Sequence, residues 1–440
     1  MNKIEHMNPS IWELDTFYRK RDAIIIGSGF CGLWSAISIK EKFPEKSVLV
    51  IEKEPIPTGA STRNAGFSCF GSLAEILADA EKMGWEKTLD LVKLRFDGLQ
   101  KIRTYFDPKE IDYEEVGGFE ILNNEVALQK IDEVNSKLKS ITNLEKTYTV
   151  QNQKIAEFGL GNAKILIENP LEGSLHSGKL LVALLKKAQN LGIEFLFGTE
   201  ILEISETENE VVIKTKNAEI TTEKLIYATN AFTKKFFPNI DLVPARGQVL
   251  VTEPIENLKL KGTFHYDEGF YYFRNVGNRV LLGGARNKAF HEEETSDFST
   301  TEFLQNELED FLKNVILPNQ NFKISHRWSG IMAMGTEKSP IVEKVTERQI
   351  LAVRLSGMGV ALAPKIGELV PNLLEVRSLK SSNFVLLSSF LLNLPQSQFF
   401  TSCQFFSFFE NCYIFHIGRK CIYFCVTIFN QIFIKKSTVF

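Results

Sequence analysis

One stretch, DAIIIGSGFCGLWSAISIKEKFPEKSVLVIEKEPIPTGASTRNAGF at residues 22–67, leaves few folds open. Ala23 to Ile26 is a short apolar run that reads as a buried strand. Gly27, Gly29 and Gly32 follow at GxGxxG spacing, and a helix is expected over Phe30 to Lys42. A second apolar run, Val48 to Ile51, ends on Glu52, 20 residues past the last glycine. Each part has a physical task. Gly27 turns the chain off the strand, Gly29 lets backbone approach a pyrophosphate, and Gly32 lets the helix pack on the sheet. The helix N-terminus offers free N–H groups and about half a positive charge to a phosphate. Glu52 accepts hydrogen bonds from a ribose 2′-OH and would repel a 2′-phosphate. GxGxxG alone is a weak signal. Strand, glycines, helix, second strand and acid in that order point to a bound dinucleotide in an α/β domain.

Composition narrows the class. The 440 residues are 44% hydrophobic and 24% charged, with a net charge of −3. That gives no electrostatic case for nucleic acid or an anionic membrane. The first 22 residues have mixed charge and no apolar core, unlike a secretory signal. Up to residue 380 the only cysteines are Cys31 and Cys69, which suits a reducing cytoplasm without a disulfide framework. No metal-ligand spacing is present there, so no metal is expected.

The residues after the acid separate the possible dinucleotides. Gly59-Ala60-Ser61-Thr62-Arg63-Asn64-Ala65-Gly66-Phe67 resembles the GAS-x-x-N-A-G loop of the D-amino-acid-oxidase-like flavoenzymes. Ser356-Gly357-Met358-Gly359-Val360, with Ala363-Pro364 and Gly367, is similar to that family's second glycine turn, whose helix N-terminus faces the flavin O2/N1 edge. The resemblance runs from about residue 20 to 372. It implies an α/β fold: a Rossmann-like FAD-binding domain of the glutathione-reductase type, interleaved with a β-rich α+β substrate domain. The expected cofactor contacts are Gly27, Gly29, Phe30, Gly32, Glu52 and Lys53 from the first turn, and Ser61, Arg63, Asn64, Ala65, Gly66 and Phe67 from the loop. Further along they are Ile201, where family backbone touches adenine, Ala228 and Thr229, and then Gly357, Met358, Gly359 and Val360.

The expected organisation alternates between the two domains. Residues 1–20 form a leader packed on the first domain. Residues 21–108, 173–240 and 341–376 build the FAD domain, the first ending in a long helix with Leu89, Val92, Phe96, Leu99, Ile102 and Phe106 on its apolar face. Residues 109–172 and 241–340 build the substrate domain, with a helix over Val126 to Leu138 and a loop at 331–339. Residues 377–440 are foreign to this pattern: from 381 on, the chain holds 13 of the 35 Phe and four of the six Cys but five charged residues. Out-of-frame reading of AT-rich DNA yields such a composition, and a non-native C-terminus is the expectation.

The family resemblance also implies the chemistry. A neutral amine passes a hydride equivalent to flavin N5, and the imine hydrolyses in water; O2 or an electron carrier reoxidises the flavin. Relatives tether FAD through a His where Arg63 stands, or a Cys where Ile331 and Met332 stand, so noncovalent FAD is expected here. Glycine-oxidase-like sites hold the substrate carboxylate with an Arg where Met332 stands. Tyr271, Arg274 and Arg286 are the remaining candidates for substrate contact beside Met332, because Arg holds carboxylates through two parallel hydrogen bonds. Tyr272 and Phe273 are expected in the core, and His176 and His265 are given no role. No CxxxxC follows the first helix, and no later G-D loop is present, which sets aside disulfide reductases and flavin hydroxylases. The alternatives are a flavin-binding protein without turnover, or an enzyme similar to the D-amino-acid dehydrogenases or glycine oxidases.

Overall fold

The computed structural model describes residues 8–375, with the backbone of Cys412–Ile417, Lys420–Val426 and Ile432–Thr438. Two large sheets carry residues 8–375. The first has Arg21–Ile26 at its centre, parallel to its partners on both sides. Val48–Ile51 and Glu194–Leu196 extend it one way, Glu219–Tyr227 and Gln349–Val353 the other. All of Val48–Ile51 is buried, as a parallel strand covered on both faces must be. The apolar runs still alternate. Ala23, Ile25, Val48, Val50 and Ile226 enter a core shared with the helices Phe30–Lys42, Trp85–Tyr105, Ser177–Asn190 and Gly359–Leu374. Ile24, Ile26, Leu49, Ile51, Leu225 and Tyr227 enter a second core, which the meander strands Ile201–Glu206 and Val211–Thr215 close.

Two glycines set how closely the helices pack. A Cβ at Gly98 would overlap the Ala361 carbonyl oxygen, and one at Gly367 would lie 2.6 Å from the backbone of Trp34. Both helix pairs with Gly359–Leu374 are therefore closer than side chains would allow, and its N-terminus is fixed against the first sheet.

The second sheet runs Ile324–Met334, Val243–Thr252, Arg279–Gly284, Tyr271–Val276, Thr263–Tyr266, Gly118–Leu122, Ile165–Asn169, Thr149–Val150. It is antiparallel except where Thr263–Tyr266 meets Gly118–Leu122, the join between its two chain segments. One face packs under the helix Glu302–Phe311, with Phe119, Phe264 and Phe273 stacked at 5.0 and 4.8 Å. The other face sets Val249, Tyr272 and Leu281 against Ala65, Phe67 and Cys69.

Several expected elements differ. The leader helix Ile11–Thr16 buries no residue, and Trp12 is 76% exposed; the leader is held at its end, by Arg21 on the Thr16 carbonyl (2.7 Å), by Tyr18 against the second core, and by Arg19 on Glu194 and Lys20 on Glu210. The helix over 126–138 is two, Val126–Gln129 and Ile131–Thr142, parted at Lys130. On the long helix, Arg95 and Gly98 are buried beside Leu99 and Ile102, while Leu89 and Phe96 are half-buried. Residues 331–334 are strand, because Met332 and Ala333 pair with Ala245 and Pro244. The third meander strand and the run after it are one strand, Glu219–Tyr227, paired to Val211–Thr215 by its first half and to Arg21–Ile26 by its second. In the tail, the three described strands pair antiparallel in chain order. The expectation of a non-native C-terminus lies outside the described residues.

Candidate active site

The first turn is shaped by contacts that exclude side chains. Gly27 has φ +101°, and a Cβ there would be 2.9 Å from the Ala228 carbonyl oxygen. Ala228 donates its N–H to Ile26 (2.9 Å), so the Ala228-Thr229 crossing lies against this turn. A Cβ at Gly29 would be 2.9 Å from Ser61 Oγ, which accepts the Phe30 N–H (2.9 Å). No side chain of Gly29 caps the helix, and the other first-turn N–H groups stay open. Glu52 ends its strand as expected. Its Oε2 accepts from Ser28 N (3.0 Å) and Oγ (2.8 Å), which braces the glycine loop.

The loop from Gly59 to Phe67 is folded on itself. Asn64 donates to the Ala60 and Ser61 carbonyls (3.1 and 2.9 Å) and accepts from Gly66 N (2.8 Å) and Ser177 Oγ (2.6 Å). Arg63 reaches the Thr58 and Ser329 carbonyls (2.8 and 3.0 Å) and stacks on Phe298, so its guanidinium joins the loop to the second sheet. Arg274 donates to the Gly66 carbonyl (3.2 Å), and burial lowers its pKa to about 10. Lys53 is exposed beside Glu200, and Ile201 begins its meander strand, buried.

The second glycine turn faces the same region. Gly357 has φ +80°, and a Cβ there would be 3.3 Å from Met332 Sδ. The helix Gly359–Leu374 begins with no side-chain cap at Met358 and presents the first-turn N–H groups of Gly359 and Val360. Met332 points to this turn while its neighbours Ile331 and Ala333 enter the meander core. Met332 Cε also lies 3.2 Å from where a Cβ of Gly247 would stand, and the Tyr272 hydroxyl lies 3.6 Å from that point. The Tyr272 ring covers Gly283, whose Cβ would be 2.5 Å from it.

That geometry corrects one substrate contact. Tyr271 faces away: its ring stacks on Phe311 at 4.5 Å, in the core under Glu302–Phe311. Strand residues alternate in direction, so it is Tyr272 that reaches Met332. Burial pushes the Tyr272 phenol up to about 12, leaving it a proton donor at neutral pH. Arg286 is the electrostatic neighbour of Tyr272 and lies over Phe290; it has no hydrogen-bond or ion-pair partner among the described residues. Sequence reasoning also passed over His265. It is the register partner of Tyr272 on the same face, is buried, and meets Phe67 edge-on at 5.2 Å. Alternation counted from Phe273, a clear core residue, would have placed both.

These residues fit a flavin dinucleotide. Two long helices with open N-termini and a glycine cradle converge with the loop, and two buried polar atoms there lack partners: Ser356 Oγ and Arg274 Nε. Among the described residues, no helix is long and apolar enough to cross a membrane. The chain is similar to the probable oxidoreductase OrdL of Haemophilus influenzae, 23% identical over 79% of this chain and 81% of the relative. It is 22% identical to the glycine oxidase of Bacillus subtilis, over 81% of this chain and 93% of that one. The structure of L-proline dehydrogenase from P. horikoshii superposes with a TM-score of 0.68 at 20% identity, covering 82% of this chain and 96% of the other. The family model for FAD dependent oxidoreductases, DAO, matches residues 22–373, and with the two glycine turns it spans, this places the chain in the DAO family of FAD-dependent oxidoreductases.

Proposed function

We propose that this oxidoreductase oxidises the CH–NH bond of an amine or amino acid. The observation that carries the reading is Met332 and Tyr272 on one sheet face beside the second glycine turn, with Arg286, on the 3-10 turn Arg286–Lys288, as the charged neighbour of Tyr272. When bound, FAD supplies the hydride acceptor. The protein's part is positional. The phenol of Tyr272 donates a hydrogen bond, the unpaired Arg286 guanidinium holds an anionic group, and Met332 adds an apolar side chain between Tyr272 and the second glycine turn. Gly27, Gly29, Ser61 and the N–H groups behind them would hold the pyrophosphate. Gly359 and Val360 would place a helix N-terminus at the flavin ring, where its partial positive charge favours the reduced anion. Glycine oxidase and L-proline dehydrogenase among the similar proteins agree with such a substrate. O2 or an electron carrier takes the electrons onward. Cys31 and Cys69 are buried free thiols.

Anaerobic mixing of the FAD-loaded protein with a panel of amines and amino acids tests this. At least one should bleach the flavin absorbance; a yellow protein that none bleaches is a binding protein without turnover. With the reactive substrate, Arg286→Ala is expected to raise KM about 10- to 100-fold, the loss of one charged hydrogen-bonded contact. An unchanged KM removes Arg286 from the site. The tether-free reading has its own test. Acid precipitation should release all flavin, and flavin remaining on the pellet would refute noncovalent binding.

A further inference from the structure

Beyond Tyr272, the same sheet face continues into a cluster of buried polar side chains, a polar chamber in the sense of its lining. Gly283, Tyr272, His265 and Glu120 are register neighbours across four strands. Phe67 touches both Tyr272 and His265, at 6.0 and 5.2 Å between ring centroids. Arg95 is fully buried on the helix Trp85–Tyr105, one turn before Gly98, which abuts Ala361 at the start of Gly359–Leu374, and it shares one electrostatic neighbour, Glu75, with His265. The cluster thus connects Arg95 to the Tyr272 face, through Glu75 and His265.

Its hydrogen bonding is incomplete in a specific way. Arg95 uses only Nη1, on Glu75 Oε1 (3.3 Å) and the Phe70 carbonyl (3.4 Å). Its Nε and Nη2, which form one straight edge of the guanidinium, have no partner, and neither does His265 Nε2. A buried donor left unpaired costs about 1–3 kcal/mol, more when charged. Two parallel N–H groups on one edge match the two oxygens of a carboxylate. Glu75 does not need that edge, because Lys338 also holds it at 3.0 Å and bridges on to Asp79 at 2.7 Å. The remaining carboxylates, Glu120 and Glu172, are pushed up by burial to about 7 and 8, so at neutral pH they repel an incoming anion weakly.

We infer that the free edge of Arg95, with His265, is a subsite for a carboxylate on the far end of the substrate. It rests on the reading of Arg286 as the contact at the near end. Together the two place the substrate among amines that carry two carboxylates. Tyr272 and His265, side by side between the subsites, are the wall such a molecule would lie along.

The test is binding, read by calorimetry and flavin difference spectra on the FAD-loaded protein. The probes are acetate and the unreactive dicarboxylates succinate, glutarate and adipate. One dicarboxylate should bind at least tenfold tighter than acetate. Arg95→Lys keeps the charge without the fork, and His265→Gln keeps a polar side chain. Each should abolish that preference while FAD content and Tm stay near wild type. Three outcomes overturn the inference: no dicarboxylate preference in the wild type, a preference that survives both variants, or an Arg95→Lys protein that loses FAD affinity but keeps the preference, which would give the edge to the flavin. Failure of the parent reading looks different, since there no amine bleaches the flavin whatever the carboxylates do.

Discussion

Replacing Gly32 by alanine is expected to strip the protein of flavin and to destabilise it by on the order of 3 kcal/mol, the upper range for overpacking. A Cβ there would overlap the Gly27 carbonyl oxygen and stand 3.0 Å from its carbon and 3.4 Å from Ala228 Cβ. The nearest of these obstacles are backbone, so no side chain can swing aside. The helix Phe30–Lys42 must lift from the strand end, and its open N–H groups move with it. The ratio of flavin to protein absorbance after gel filtration, with a thermal melt, reads both effects. Gly59→Ala is the control. Gly59 has φ −74°, and a Cβ there meets nothing within 4 Å, so stability should hold within about 0.5 kcal/mol. A Gly32→Ala protein as yellow and as stable as the Gly59→Ala protein would show that the close packing has no bearing on the cofactor.

The contrast between these glycines marks what was legible in the sequence. The first strand, helix and second strand lie within a residue or two of where the apolar runs placed them, because local chemistry there has one solution: an apolar run covered on both faces, a turn with no room for Cβ, an acid at the strand end. The interleaving of two sheets came from family resemblance; periodicity alone does not say that Thr263–Tyr266 pairs with Gly118–Leu122 across some 140 residues. The substrate face was hardest to read. Tyr271 and Tyr272 are the same residue type one position apart, and a one-residue shift exchanges core and site. Arg95 was hidden for another reason. It occupies an otherwise apolar helix face, where an arginine reads as a break in the pattern until Glu75, 20 residues earlier in the chain, is seen to meet it.

The acids of the polar chamber should set the pH dependence of stability. Burial raises Glu172 from an ordinary 4.5 to about 8, although the N–H groups of Phe70 and Gly71 pull it down. Burial likewise raises Glu120 to about 7 against the hydroxyl of Ser72. Between 4.5 and these values the folded chain holds protons that the unfolded chain has released, so stability must fall as pH rises through that window. The contribution is complete below 4.5 and gone above about 8. For groups this buried it amounts to roughly 3–5 kcal/mol per carboxyl at most, at 1.36 kcal/mol for each unit. Glu75 raises both acids and Glu120 adds to Glu172, so the slope belongs to the cluster. Two neighbours act in the opposite sense. Burial outweighs the pull of Glu75 and lowers His265 below 6.5, which costs stability as pH falls past that value. Burial also raises Glu75, but Lys338 and Arg95 outweigh it and hold Glu75 at about 2, so its contribution is lost only as pH falls from 4.5 toward 2. The double variant Glu120→Gln with Glu172→Gln removes both alkaline titrations and leaves the acid ones. Urea unfolding at pH 5, 7 and 9 should then give a profile much flatter than wild type between 5 and 9, with the variant gaining on wild type at pH 9. Parallel profiles would mean that water solvates both carboxyls in the folded chain.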